Sequence, residues 1–322
     1  MIEARQIGTT GMSVSAVSFG GSALANLYRR ISDADADELM RCAWGRGIRY
    51  FDTAPHYGRG RSEMRLGNFL SNLPRDGFVL STKVGRVLRP GSPMAEADGF
   101  IDPLPNAVHY DYSGMGIRES VEGSLKRLKQ HRIDIIYVHD IGRLTHGSDN
   151  QAHLDQLLSS GLPELEKMRA TGLIGAIGLG VNETEVCLNV LSHHALDVIL
   201  LAGRWTLLDR SAESELVPVC RASGVSLVLG GILNSGILAT GAIPSANYDY
   251  GPAPESVLAE VRSLENRCRS SGVSLATAAL RFALSRPGVA SILIGTGKAA
   301  SLNRNLDAIE SVFPDELGRD LF

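Results

Sequence analysis

A (β/α)8 barrel filling residues 1–322 as a single domain is the fold that the sequence predicts. Eight short runs rich in Val, Ile and Leu alternate with longer amphipathic stretches, and no linker or low-complexity tract separates them. Runs of this kind are expected of parallel strands covered on both faces. A doubly wound sheet usually uses fewer, so eight strands favour closure into a barrel.

The strand runs, in order, are VSAVSFGG (14–21), IRYFDTA (48–54), FVLSTKVG (78–85), IDIIYVHD (133–140), LIGAIGLG (173–180), LDVILLAG (196–203), VSLVLGG (225–231) and VASILIG (289–295). Apolar residues at three- and four-residue spacing predict helices over 33–47, 62–72, 116–130, 162–172, 183–193, 211–224 and 255–272, with a final one inside 291–310. Several end in Gly after a cationic turn, a normal helix stop. Three connections, 86–115, 141–161 and 233–254, are long for plain loops. All three leave the C-terminal ends of strands, the face on which barrel enzymes carry their chemistry.

Composition narrows the class. The chain is 44% hydrophobic and 21% charged with a net charge of -3, an ordinary balance for a globular protein and no bulk field for nucleic acid or anionic lipid. Cys42, Cys187, Cys220 and Cys268 are widely spaced and form no CxxC pair, so neither a zinc site nor a disulfide framework is expected. The first residues lack the basic-then-apolar pattern of a secretion signal, and a cytoplasmic location is expected. No metal, membrane or nucleic-acid partner is implied. A small-molecule substrate is, with the assembly left open between a monomer and a small homo-oligomer.

The polar residues at the strand ends point to chemistry. The second strand ends in Asp52, followed by Tyr57 in its loop; the third carries Lys83; the fourth ends in His139-Asp140. Singly, each has a structural alternative: a turn cap, an aromatic lid, a paired lysine, a satisfied histidine. A barrel brings all four to one mouth. A buried ammonium needs a partner, and Asp52 is suited to be it. Lys83 is expected to stabilise a Tyr57 phenolate and lower its pKa, with His139 donating to a substrate oxygen. Such a group interconverts hydroxyl and carbonyl and requires a hydride carrier.

SILIGTGKAASLNRNLDAIE (291–310) reads as the last strand, a glycine turn and a helix. Gly295 and Gly297 let backbone approach an anion at a helix N-terminus. Too few residues follow for a Rossmann unit, and GTGK lacks the spacing of a P-loop, which leaves a phosphate site after strand eight. Among long-loop aromatics, Tyr110 and Tyr112 are candidates to face the substrate, with Phe100, His109, Tyr248 and Tyr250.

These segments, above all FDTAPHYGRGRSEMRLGNFL with STKVG, DIIYVHD and IGTGKAASLNRNL, resemble the aldo-keto reductases over nearly the whole chain. The resemblance implies a catalytic tetrad of Asp52, Tyr57, Lys83 and His139, with Tyr57 and His139 also touching substrate. It implies a nicotinamide cofactor extended across the mouth, contacting Gly21, Ser22, Asp52, Trp205, Gly231, Asn234, Gly236, Gly295, Thr296, Gly297, Lys298, Ser301, Arg304 and Asn305. LLAGRWTLLDR and VHYDYSGMGIRESVEGSLKRL look like the family's sugar-oxidising branch. The implied reaction oxidises the anomeric hydroxyl of an aldose of the L-fucose, D-arabinose or L-galactose type to a lactone. The alternatives are pyridoxal hemiacetal oxidised to its lactone, or general aldehyde reduction.

Two departures bear on the cofactor. The family's carboxamide-holding Gln aligns with Ala202, and its stacking Tyr with Trp205. The cations that many members aim at the 2′-phosphate align with Gly295 and Ser301, which favours NAD, while Lys298 and Arg304 leave NADP possible.

Overall fold

A computed structural model describes residues 2–322. Eight parallel strands close into a barrel: β1 (Val17–Gly20), β2 (Tyr50–Asp52), β3 (Val79–Val84), β4 (Ile133–His139), β5 (Ile174–Val181), β6 (Val198–Ala202), β7 (Ser226–Gly230) and β8 (Val289–Gly295). β8 pairs with β1, completing the ring. The strands are short because each is buried on two sides: one set of side chains fills the barrel and the alternate set meets the helices.

That alternation shows on β2 and β4. Tyr50, Ile135 and Tyr137 lie in the interior cluster, whereas Phe51, Ile136 and Val138 belong to the layer under the helices. The phenols of Tyr50 and Tyr137 hydrogen-bond inside the barrel at 2.8 Å, so neither buried hydroxyl is left unpaired. One step further up each strand, the same phase turns Asp52 and His139 inward at the mouth.

The predicted 14–21 strand is two pieces. Ser13–Ser15 pairs antiparallel with Ala4–Gln6, and only Val17–Gly20 enters the barrel. Ile7 and Val14 of this hairpin pack against the interior cluster and plug the end opposite the chemistry. An unbroken apolar run cannot reveal such a break, because both pieces are buried.

The helices fall close to their predicted ranges, including Asp33–Gly45, Arg61–Leu70, Gly114–Leu128 and Glu255–Ser270. Ser32 caps the first with a reciprocal bond to Asp35. Two further helices, Leu275–Ser285 and Asp315–Leu321, complete the outer layer. The long connections are structured. Residues 86–115 contain a hairpin pairing Arg86–Pro90 with Asn106–Tyr110, and 141–161 contain the helix Asn150–Gln156. All four cysteines are free, and among the described residues no group of three or more His, Cys, Asp or Glu is arranged to hold a metal. Among those residues no helix is long and apolar enough to cross a membrane.

Candidate active site

Asp52 and Lys83 meet at the centre of the mouth. The Lys83 ammonium donates to Asp52 Oδ2 at 2.6 Å and to the Thr53 carbonyl at 2.9 Å, and Ser81 Oγ donates to Asp52 Oδ1 at 2.6 Å. Register explains the set: Asp52 lies opposite Ser81, and Lys83 enters two residues further along β3. Both charges are nearly inaccessible, at 0% and 2% exposure, so neither is tolerable without the other. Burial opposes the Lys83 charge, but the Asp52 carboxylate and the Tyr57 phenol together raise its pKa above the usual lysine value. Burial pushes the Asp52 carboxyl upward against the pull of Lys83 and Ser81.

The lysine stem also needs space. Gly180 on β5 provides it: a Cβ there would stand 3.3 Å from Lys83 Cε and 3.3 Å from Tyr137 Cβ. No side chain other than hydrogen fits without moving the lysine.

Tyr57 opens a tight turn between β2 and the helix Arg61–Leu70, with Gly58 and Arg59 both at positive φ. The turn carries the ring back over the barrel, where its centroid is 5.0 Å from Lys83 Nζ and 6.0 Å from the His139 ring, edge to face. Tyr57, Lys83 and His139 therefore share one site. The expected lowering of the Tyr57 pKa is corrected. Burial raises it and is the largest effect, with Asp52 and Asp140 adding to it; the charge of Lys83 and its hydrogen bond oppose without prevailing. Without further positive charge, Tyr57 stands as a neutral phenol.

His139 is neutral as well. Burial, then the charges of Arg86 and Lys83, hold its pKa well below the usual histidine value. Its Nε2 is 3.4 Å from Asp140 Oδ2, while Nδ1 is buried without a partner. A neutral ring in this position can donate one hydrogen bond to an oxygen on which charge develops.

Sequence reasoning gave no role to Arg86, Asp140 or His56, which surround it. Arg86 Nη2 donates to Asp140 Oδ2 at 2.7 Å, and Asp140 takes φ +43°, a left-handed conformation costing a side-chain-bearing residue about 1 kcal/mol. His56 packs edge-on against Phe100 at 5.7 Å and His139 at 5.9 Å. Its pKa falls to about 3, through burial first and then Arg86, Arg59 and Lys83. Phe100 stands 6.0 Å from the Tyr57 ring and forms an apolar wall. The HD dipeptide was the available signal for Asp140. Nothing in the local sequence pairs it with Arg86, because 54 residues separate the two.

The aromatic expectations divide. Tyr110 is 45% exposed, with its ring 5.6 Å from the Arg86 guanidinium carbon, and so stands at the rim. Tyr112 does not face substrate: it is fully buried, and its hydroxyl donates to the His139 carbonyl and meets His146 Nε2, each at 2.8 Å. It is a prop under the strand that carries His139.

Around β8 the expected cofactor residues form a different kind of surface. Gly295 is exposed, and a Cβ on it would come no nearer than 3.7 Å to Ser22 Oγ, so these two flank open space. The helix Ala299–Glu310 starts after Lys298 with no side-chain cap and no acid in its first turn, leaving backbone N–H groups for an anion. Lys298 and Arg304 are exposed there, and Arg304 donates to Ser301 Oγ at 2.8 Å. Thr296 and Asn305 lie on the same turn and helix, half-buried. Arg29, which sequence reasoning passed over, bridges to this turn by donating to the Gly297 carbonyl at 2.6 Å. Glycines, a free helix start and cations suit a phosphate-bearing nicotinamide cofactor.

Three of the expected cofactor residues are also committed to contacts within the protein. Trp205 is only 3% exposed and its indole N–H donates to Glu213 at 2.7 Å, so both its apolar face and its donor are used in the core. Asn234 is buried, accepting from Thr206 at 2.6 Å and donating to the Gly203 carbonyl at 3.3 Å, and so ties the loops after β6 and β7 together. Gly21 is buried, and a Cβ there would come within 2.8 Å of the Asp52 carbonyl and Ser62 Oγ, so its smallness serves packing behind the tetrad. Gly231 and Gly236 both take positive φ in the loop after β7, Gly231 exposed and Gly236 half-buried.

Comparison with known proteins gives the family. The model of the aldo/keto reductase family matches residues 16–319. The chain is 40% identical to pyridoxal 4-dehydrogenase of Microbacterium luteolum, covering 98% of this chain and 95% of that one. It is 37% identical to D-threo-aldose 1-dehydrogenase of a Pseudomonas species (97% and 94%) and 30% identical to L-galactose dehydrogenase of Arabidopsis thaliana (99% and 91%). In fold it is similar to aldo-keto reductase AKR11C1 from Bacillus halodurans, with a TM-score of 0.78 at 24% identity over 100% of this chain and 95% of that one. The tetrad geometry and these likenesses place the chain in the aldo-keto reductase family, oxidoreductases that use NAD(P)H.

Proposed function

We propose that the protein oxidises the anomeric hydroxyl of an aldose, of the L-fucose, D-arabinose or L-galactose type, to the lactone. The observation that carries this reading is the buried Asp52–Lys83 ion pair beneath the Tyr57 ring, with neutral His139 against its edge. Relatives named for aldose and L-galactose oxidation support the substrate class.

The anomeric C–H bond breaks as a hydride departs, the O–H proton passes to the Tyr57 oxygen, and the carbonyl forms. A bound nicotinamide supplies the hydride acceptor. Tyr57 accepts this proton only after releasing its own; Lys83 stabilises the phenolate that then forms, and Asp52 keeps Lys83 charged and aimed. His139 donates to the reacting oxygen, and Phe100 keeps that side of the site apolar. Gly295, Thr296, Gly297 and the start of the helix Ala299–Glu310 are suited to hold the cofactor's phosphates. NAD is the expected form, since Gly295 and Ser301 stand where many relatives place cations, with NADP accessible through Lys298 and Arg304.

The test is NADH formation with L-fucose, D-arabinose, L-galactose and pyridoxal, with NADP in parallel. Tyr57→Phe is expected to lower turnover about a thousandfold while cofactor binding, read by fluorescence, persists. Retained turnover would defeat the proposal. Pyridoxal is the second reading, supported by the 40% identical relative and by Phe100, whose ring suits a flat pyridine. Turnover of pyridoxal alone would select it.

A further inference from the structure

We propose that Asp140 and Arg86 form a recognition pair for the hydroxyl on the carbon next to the reacting one, so that this chain selects substrates carrying a vicinal hydroxyl. The inference deepens the aldose reading above and rests on it.

The pair occupies the right place. Asp140 Oδ2 is 3.4 Å from Nε2 of His139, the residue whose ring is assigned as donor to the reacting oxygen. Two oxygens on adjacent carbons are separated by about one hydrogen-bond length. An acceptor one step beyond the imidazole therefore lies within reach of the neighbouring hydroxyl. The Asp140 side chain is 24% exposed at this mouth, and its charge acts on the phenols of both Tyr57 and Tyr250. Among the described residues, Oδ1 accepts no hydrogen bond, since Arg86 and His139 both approach Oδ2.

Arg86 is also incompletely used. It is 6% exposed, donates to a side chain only through Nη2, and its buried Nε has no partner. A lone guanidinium would suit a carboxylate or phosphate. Paired with Asp140, it presents an acceptor beside a donor with little net charge, which matches a hydroxyl that donates and accepts at once. The backbone is committed to this display: Asp140 sits at φ +43°, and Arg86 faces Tyr110 across the hairpin of the long 86–115 connection.

A merely structural pair, one that only steadies His139, would affect every substrate alike. The discriminating measurement is a selectivity ratio. D-arabinose and 2-deoxy-D-ribose differ only in the 2-hydroxyl, so the ratio of their kcat/KM values reads that group. In the full-length wild-type enzyme with NAD, the ratio is expected to favour D-arabinose. Asp140→Asn, which keeps the shape and tolerates positive φ, is expected to lower the ratio roughly tenfold, mainly through the KM of D-arabinose. Arg86→Gln is expected to lower it in the same sense and guards against a misfolded first variant. A ratio unchanged in both variants, with kcat falling equally for the two sugars, would overturn the recognition role and leave Asp140 as a positioning residue for His139. A wild-type enzyme that oxidises neither of these sugars, nor L-fucose or L-galactose, would instead remove the aldose reading itself; if only L-fucose or L-galactose is oxidised, the same ratio is read against the 2-deoxy form of that sugar.

Discussion

The two sides of the barrel mouth are built on opposite principles. On the β2–β4 side, charges are buried and held by side chains: Asp52 accepts from Lys83 and from Ser81, each at 2.6 Å, inside walls of Tyr137, His56 and Phe100. On the β8 side, glycines, an uncapped helix start and exposed cations leave most of the work to backbone. The first must hold a proton-transfer group in one geometry, and a low-dielectric enclosure makes each charge strong. The second must admit a large anion, which side chains would obstruct. Precision on one side and access on the other is the lesson of the contrast.

The comparison breaks most severely on the buried side. Lys83→Met leaves the Asp52 carboxylate enclosed without its cation, and about 3–5 kcal/mol of stability should be lost, measured by urea denaturation. Turnover should fall with it. An unfolding midpoint like that of the wild type would mean that the pair is far better hydrated than its exposure indicates.

Next in size is Gly180→Ala. The added methyl must displace Lys83 or Tyr137, and a cost of about 1–3 kcal/mol is expected, with kcat reduced more than KM is changed. Equal stability and turnover would show that the lysine stem is free to move.

Acid should reach the same side through its histidines. His56 and His139 are buried neutral with depressed pKa values, so the unfolded chain binds protons that the folded chain refuses. Their contribution is fully present above the unfolded histidine value of about 6.5 and is lost as pH falls below it toward their folded values, at about 1.4 kcal/mol per pH unit for each. A double variant replacing both with Asn should have a flatter stability profile between pH 6.5 and pH 5. In the opposite direction, the raised Tyr57 pKa means that sugar oxidation should accelerate into the alkaline range as the phenolate forms.

The smallest effects belong to the β8 side. Arg304→Ala should weaken NADP use by roughly threefold to tenfold while changing NAD use less, since an exposed cation contributes little. Equal losses for both cofactors would place Arg304 away from the 2′-phosphate.

Legibility followed the same division. Asp52, Lys83 and His139 were readable because each is a polar residue ending an apolar run, and Tyr57 because it follows in the FDTAPHY block. The internal partners of Trp205 and Asn234 were not readable, because alignment with a family position says nothing about which groups occupy a side chain once the loop folds inward. Tyr112 was misread for a related reason: an aromatic in a long loop looks available until the loop becomes a hairpin and helix that bury it. The Arg86–Asp140 pair had no local signature at all.

Hydrophobic periodicity is a local property, so chain order alone was enough to count eight strands, close them into a barrel and put four reactive residues at one rim. Which protons those residues carry was settled by closure itself. Desolvation and pairing are long-range, and only the packed barrel makes His139 neutral, keeps Lys83 charged, and lets burial outweigh that charge at Tyr57.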